Sequence, residues 1–142
     1  MRNLFKLKNQ ENQRGVAAVE FAIVLPFLAL LLFGIIEFSL LLYNQQVITN
    51  ASREGARVAV NPIPKIELTS EIETIVEDYI SDKLISFGNN PNALNVQVSG
   101  LGGNAGNNLT VTVTFEYGFL VPGFFNLGTT YDLQSTTVMK IM

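Results

Sequence analysis

Glu20 and Glu37 are the only charged residues between Val16 and Leu42, a stretch otherwise built almost entirely from Val, Ile, Leu, Phe and Ala. A carboxylate in hydrocarbon costs on the order of 3 kcal/mol or more unless something neutralises it, which makes each of the two a candidate functional group. The rest of the 142-residue chain narrows the chemistry sharply, because it contains no Cys and no His. Thiol nucleophiles, Ser-His and Cys-His pairs, disulfides and zinc sites of sulfur or imidazole are all excluded. Glu71, Glu73, Glu77, Asp78 and Asp82 form an acidic run, but they oppose an apolar helical stripe and lack any calcium-loop spacing. They read as a solvated helix face.

Gly100-Leu101-Gly102-Gly103-Asn104-Ala105 meets the loose G-x-G-x-x-A dinucleotide pattern. A strand pattern follows it, where a helix N-terminus would be needed to hold a pyrophosphate, so a hairpin loop is the better reading. No catalytic, cofactor-binding or metal site is expected, and no cofactor; the chain reads as a non-enzyme. Arg53, Glu54 and Arg57 leave two readings open. Glu54 lies three residues before Arg57, and Arg53 and Arg57 share a face at i, i+4. They form either a surface ion pair of little energetic weight or a docking face for a neighbouring subunit.

The elements that position these groups follow from periodicity. Phe21 to Leu42 is long enough, at about 33 Å as a helix, to cross a hydrocarbon core of about 30 Å. That places Glu20 near one boundary and Glu37 near the other, with its head within reach of water. Pro26 is either a tolerated membrane proline or the site of a packing bend. The helix should continue beyond the span, because Val47, Ala51, Gly55 and Ala59 recur at four-residue spacing beside Ile48, Ser52 and Ala56 until Asn61-Pro62 ends it. Ser70-Glu71-Ile72-Glu73 fits a capping box for a second helix with Ile72, Ile75, Val76, Tyr79, Ile80 and Leu84 on one stripe.

Past Phe87 the period changes to two. Leu94, Val96 and Val98 alternate with polar residues, as do Leu109, Val111, Val113, Phe115 and Tyr117, and a last strand runs from about Tyr131 to Ile141. The predicted fold class is α+β: a long N-terminal transmembrane and stalk helix, with a small head of one further helix and a three-stranded antiparallel sheet. The loop from Gly118 to Thr130 carries Phe119, Leu120, Val121, Phe124, Phe125 and Leu127. It either folds back over a sheet edge or forms an apolar partner surface.

Charge orients the chain. Residues before Gly15 carry four basic groups and one acidic, a net +3, while those after it carry five basic and eleven acidic, a net -6. Basic flanks stay cytoplasmic, which predicts an N-terminus inside and an exported acidic head. An acidic head also argues against nucleic-acid binding. The apolar run is too long for an ordinary signal peptide, and Glu37 and Tyr43 stand where a small-residue cleavage site would be needed.

Arg14-Gly15-Val16-Ala17-Ala18-Val19-Glu20-Phe21, following a basic leader, resembles the processing site of type IV prepilins and pseudopilins. The resemblance extends through Glu20-Phe21-Ala22-Ile23-Val24-Leu25-Pro26, Phe33-Gly34-Ile35-Ile36-Glu37-Phe38 and Asn50-Ala51-Ser52-Arg53-Glu54-Gly55-Ala56-Arg57, which are similar to the TadE-like pseudopilins of tight-adherence (Flp, type IVc) pilus systems. It covers roughly residues 14 to 60, with a weaker echo at Ser135-Thr136-Thr137-Val138-Met139. In such proteins a membrane peptidase cuts after the Gly, here between Gly15 and Val16, and the Glu, here Glu20 beside Phe21, neutralises the new amine as subunits pack. Val16 stands where major type IV pilins usually have Phe, and Phe21 where the Flp major pilin has Tyr. Both differences point to an accessory pseudopilin.

The resemblance implies a leader at residues 1 to 15, a transmembrane and stalk helix at 16 to 60, and an exported head at 61 to 142. It implies the membrane, a prepilin peptidase, other pilins and the pilus assembly platform as partners, with Glu37, Arg53, Glu54 and Arg57 as possible interface residues. The expected location is the cytoplasmic membrane, single-pass, with possible incorporation into an extracellular pilus. The alternative is an uncleaved single-pass anchor whose head binds an envelope partner or ligand.

Overall fold

Helix α1 runs from Arg2 to Val60 in the computed structural model of the protein, passing through Gly15 and Pro26 without interruption. The structure describes residues 2–60, 69–87, 94–121 and 128–142, with side chains from Gly15 onward. The helix therefore starts earlier than the expected stalk boundary near residue 16. It ends where expected, one residue before Asn61. Pro62, whose ring biases the residue ahead of it away from helical geometry, explains the stop.

The chain divides into two compact units, Met1–Ile36 and Glu37–Met142. Among the described side chains of the first, from Gly15 onward, nearly every large apolar one is exposed; Phe27, for example, keeps 71% of its surface. Water does not tolerate such a face on a stable helix without cover. Among the described residues one helix, Gly15–Val60, is long and apolar enough to cross a membrane.

The second unit is the head. Helix α2 spans Thr69–Ile80, and its buried residues Ile72, Val76 and Ile80 keep the expected helical spacing. Burying each such side chain is worth about 1.5–3 kcal/mol. Ser70 lies inside the first turn rather than capping it, since the helix already begins at Thr69. Leu84 sits beyond the helix end but still packs on the core.

Three strands, β1 (Leu94–Ser99), β2 (Asn108–Gly118) and β3 (Thr130–Lys140), form an antiparallel sheet in the order β1-β2-β3. The register pairs Leu94 with Phe115, Val98 with Val111, Leu109 with Met139 and Tyr117 with Tyr131. The glycine-rich motif at 100–106 is the hairpin loop between β1 and β2, as its surroundings in the sequence required.

Alternation decides which face is covered. Leu109, Val111, Val113, Phe115 and Tyr117 are buried, while Thr110, Thr112 and Thr114 between them are not. The cover comes from α2 and from the part of α1 that carries Val47, Ile48, Ala51 and Ala56. Gly55 lets these layers meet. A Cβ placed there would lie 2.7 Å from Val76 Cγ2 and within 3.5 Å of both Ile72 and Val111 side chains. The small-residue face read from the sequence is thus a close-packing seam.

Candidate functional site

Three polar residues of α1 are buried in the head: Glu37, Asn44 and Ser52. Spaced seven and eight residues apart, they fall on one side of a helix with 3.6 residues per turn. That side also carries Ile48, Ala51, Gly55 and Ala56, all buried. Buried polar groups must be hydrogen-bonded, and each of the three reaches a different segment of the head.

Glu37 is 5% exposed. Its Oε1 accepts a hydrogen bond of 2.6 Å from the Tyr117 hydroxyl, and the Leu120 backbone N–H lies 3.2 Å from each carboxyl oxygen. The expectation that this carboxyl reaches water is corrected here. Its partners lie on β2 and the start of the following loop, and protein donors have replaced solvent. Burial first, then the hydrogen bond and charge of Glu37, push the Tyr117 hydroxyl well above the ordinary phenol range. Tyr117 therefore remains a proton donor over the whole physiological range. Its ring meets Phe119 edge-on, with centroids 5.6 Å apart and planes at 88°.

Asn44 binds the backbone of Ile85 from both sides. Its Nδ2 donates to the Ile85 carbonyl at 2.6 Å, and its Oδ1 accepts from the Ile85 N–H at 2.9 Å. A side-chain amide carries one donor and one acceptor edge, so it can imitate one rung of a β-ladder. Ser52 lies 2.8 Å from Thr137 Oγ1 and 3.1 Å from Ser135 Oγ, joining α1 to the inner face of β3. Gln45 adds a contact from its Nε2 to the Gln134 carbonyl at 3.0 Å. The three buried residues together set the longitudinal position and the rotation of α1 on the sheet.

The loop after β2 is described at 118–121 and 128–130, and its remaining residues, Phe124, Phe125 and Leu127 among them, lie outside the described set. Phe119 is buried, and its N–H donates to the Thr129 carbonyl, so the two ends of the loop are held together.

Glu54 and Arg57 form a two-pronged pair, Nε to Oε2 at 2.9 Å and Nη2 to Oε1 at 2.5 Å. The Arg57 hydrogen bond holds the Glu54 carboxyl below its ordinary range. A depressed carboxyl value means any stability from this pair is present at neutral pH and fades as pH falls through it. Arg53 and Arg57 are both exposed on α1. Gly15, Val16, Glu20 and Phe21 are all exposed in the first unit, along one continuous helical stretch.

Sequence reading missed Asn44, Tyr117 and Leu120. A signal for Tyr117 was present: a tyrosine in the buried phase of an alternating strand needs an acceptor for its hydroxyl. Nothing comparable marks the Leu120 N–H, because a backbone group carries no sequence label.

Among the described residues, an N-terminal helix long and apolar enough to cross a membrane, with its apolar side chains exposed, suggests membrane anchoring. The family model of TadE-like protein matches residues 15–57, a stretch that contains Glu20, Glu37, Arg53, Glu54 and Arg57. Over that segment the chain is similar to TadE-like proteins, a similarity that suggests association with Tad pilus systems. The family is one of pilus components and is not known for catalysis. No curated protein and no solved structure matches the chain.

Proposed function

We propose that this chain is a non-enzymatic pseudopilin, or minor pilin, for biogenesis of a tight-adherence pilus, and that a prepilin peptidase cuts it between Gly15 and Val16. Gly15 supports this reading most directly. It stands in uninterrupted helix, where Gly is less favourable than Ala by roughly 0.5–1 kcal/mol. A Cβ at this position would meet nothing within 4 Å. Folding offers no use for a glycine there, and an external reader does: a narrow peptidase pocket accommodates a residue with no side chain.

Cleavage would leave a new α-amine at Val16, and Glu20 lies four residues on, one helical turn away. Glu20 would pair with that amine or with the amine of an adjacent subunit, with Phe21 beside it in the packed layer. Residues 1–15 would be the leader, 16–60 the anchor and stalk, and 61–142 the exported head. The +3 leader and the -6 remainder support an N-terminus inside the cytoplasmic membrane and a head outside it. Other pilins and the assembly platform would be the partners, with Arg53, Glu54 and Arg57 available on the stalk surface.

The test is intact mass of the membrane-extracted protein from cells with and without their prepilin peptidase. A difference equal to residues 1–15 supports the proposal. Equal masses would favour the alternative, an uncleaved anchor whose head binds an envelope partner.

A further inference from the structure

The exposed apolar side chains of the head are not spread evenly. Seven large ones are exposed among its described residues, and five of them (Phe38, Leu42, Tyr43, Ile85 and Tyr131) belong to one end. Hydrogen bonds and register tie these five together. Phe38, Leu42 and Tyr43 lie within two helical turns of Glu37 on α1. Glu37 holds the Tyr117 hydroxyl, and Tyr117 is the register partner of Tyr131. Asn44, the next residue after Tyr43, holds both backbone groups of Ile85. The segment continues to Phe87, whose N–H donates to the Gly118 carbonyl next to Tyr117. Val138, towards the opposite end of β3, and Met142, beyond it, are the other two.

The chain enters the head at Glu37, directly after the exposed apolar residues that end at Ile36. The end that carries the five side chains is therefore the end to which the anchor is covalently attached. From Phe38 to Ser52 the helix holds no charged residue, and Arg53 is the first charge after Glu37. Two of the five are tyrosines, whose apolar rings and polar tips favour the headgroup level of a bilayer. We propose that this collar is a lipid-docking surface, and that the head rests with Phe38, Leu42, Tyr43, Ile85 and Tyr131 in the outer interfacial layer of the membrane. Its occupant is the lipid surface itself. Continuity with the membrane-crossing run on the same helix is the reason for choosing lipid over a second copy of the chain.

Two consequences follow. The hydrocarbon-crossing part of α1 ends at Ile36 instead of Leu42, because Glu37 is already satisfied by the head. Glu20 then lies about 24 Å of helical rise below Ile36, inside the inner margin of a core about 30 Å thick.

The inference rests on membrane anchoring, and the experiment separates the two. The full chain contains no Trp. Single-tryptophan variants Phe27→Trp, Tyr131→Trp, Ile85→Trp and Val138→Trp are reconstituted into phosphatidylcholine vesicles with lipids brominated near the headgroup or deep in the chains. Phe27→Trp reports the span, whereas Tyr131→Trp and Ile85→Trp report parts of the collar that are not on the anchor helix. The expected result is that shallow bromines remove about half or more of the emission at 131 and 85, the depth at which interfacial aromatic rings sit. Val138→Trp should be unaffected. Quenching at 27 without quenching at 131 and 85 would overturn the collar and leave the span standing. Shielding at 131 and 85 that grows with protein-to-lipid ratio, without bromine quenching, would overturn it in favour of contact between copies. Absence of quenching at 27 would remove span and collar together.

Discussion

Glu37 and Tyr117, eighty residues apart in sequence and both buried, are joined by a hydrogen bond of 2.6 Å. The same carboxyl accepts the Leu120 N–H. One side chain of the anchor helix thereby fixes the end of a central strand and the first residues of the apolar loop after it. The acid that sequence alone presents as an anomaly in an apolar run is an organising group of the head.

Replacing Glu37 by Ala leaves a buried hydroxyl and a backbone N–H without their acceptor. Each such loss costs about 1–3 kcal/mol, so the head of Glu37→Ala should be destabilised by about 2–6 kcal/mol. Glu37→Gln keeps one oxygen acceptor and should lose roughly half as much or less. Thermal unfolding of the full chain in detergent micelles, followed by circular dichroism, measures both. Equal stability of Glu37→Ala and the parent would show that the carboxyl does not hold the head together.

Tyr117→Phe removes the donor without changing the ring. The expected loss at neutral pH is about 1–3 kcal/mol. Because folding raises the Tyr117 value, its contribution is complete below about pH 10, the ordinary phenol value, and declines as pH climbs towards the folded-state value. The gap between parent and Tyr117→Phe should therefore stay constant up to about pH 10 and narrow above it. A gap that narrows on acidification from pH 10 to neutrality would contradict the assignment of Tyr117 as donor.

Gly15 and Gly55 should respond oppositely to alanine. At Gly55 the new methyl would sit 2.7 Å from a stiff, fully buried Val76, and overpacking of this kind costs about 1–3 kcal/mol. At Gly15 it meets open space, and the helix should gain up to about 1 kcal/mol. Unfolding curves of the two variants decide this. A larger residue at Gly15, such as Leu, should leave folding intact while abolishing removal of residues 1–15, which gel mobility or mass reports directly.

Glu20→Gln tests whether the carboxyl acts in assembly. Removing a charge makes the span more apolar, so membrane insertion should be unchanged. Co-purification with other pilins should weaken and piliation should fall, because an unpaired amine in an apolar layer is heavily penalised. Cleavage is measured in parallel, since a peptidase can also read this position. Normal piliation by Glu20→Gln would make the carboxyl a bystander.

Much of this protein is local, and local features are legible in a sequence. Helical recurrence of Val47, Ala51, Gly55 and Ala59 marks the packed face of α1, and two-residue alternation from Leu109 to Tyr117 marks the buried face of β2. Those patterns arise because each side chain's direction is set by its own backbone, three or four residues per turn or one face per alternate position. The apolar run before Glu37 and the charge imbalance about Gly15 likewise need no third dimension to be read. The partners of Glu37, Asn44 and Ser52 do need it. Tyr117, the Ile85 backbone and the Ser135 and Thr137 hydroxyls lie between 41 and 85 positions away. Three of the partner groups, the Ile85 N–H and carbonyl and the Leu120 N–H, belong to the main chain and carry no mark in the sequence. Only the packing of α1 across the finished sheet brings these groups within hydrogen-bonding distance, and burial then makes satisfying them obligatory. Glu37 shows the division most clearly: composition singles it out as an acid in an apolar run, and tertiary structure decides that it faces the head instead of water.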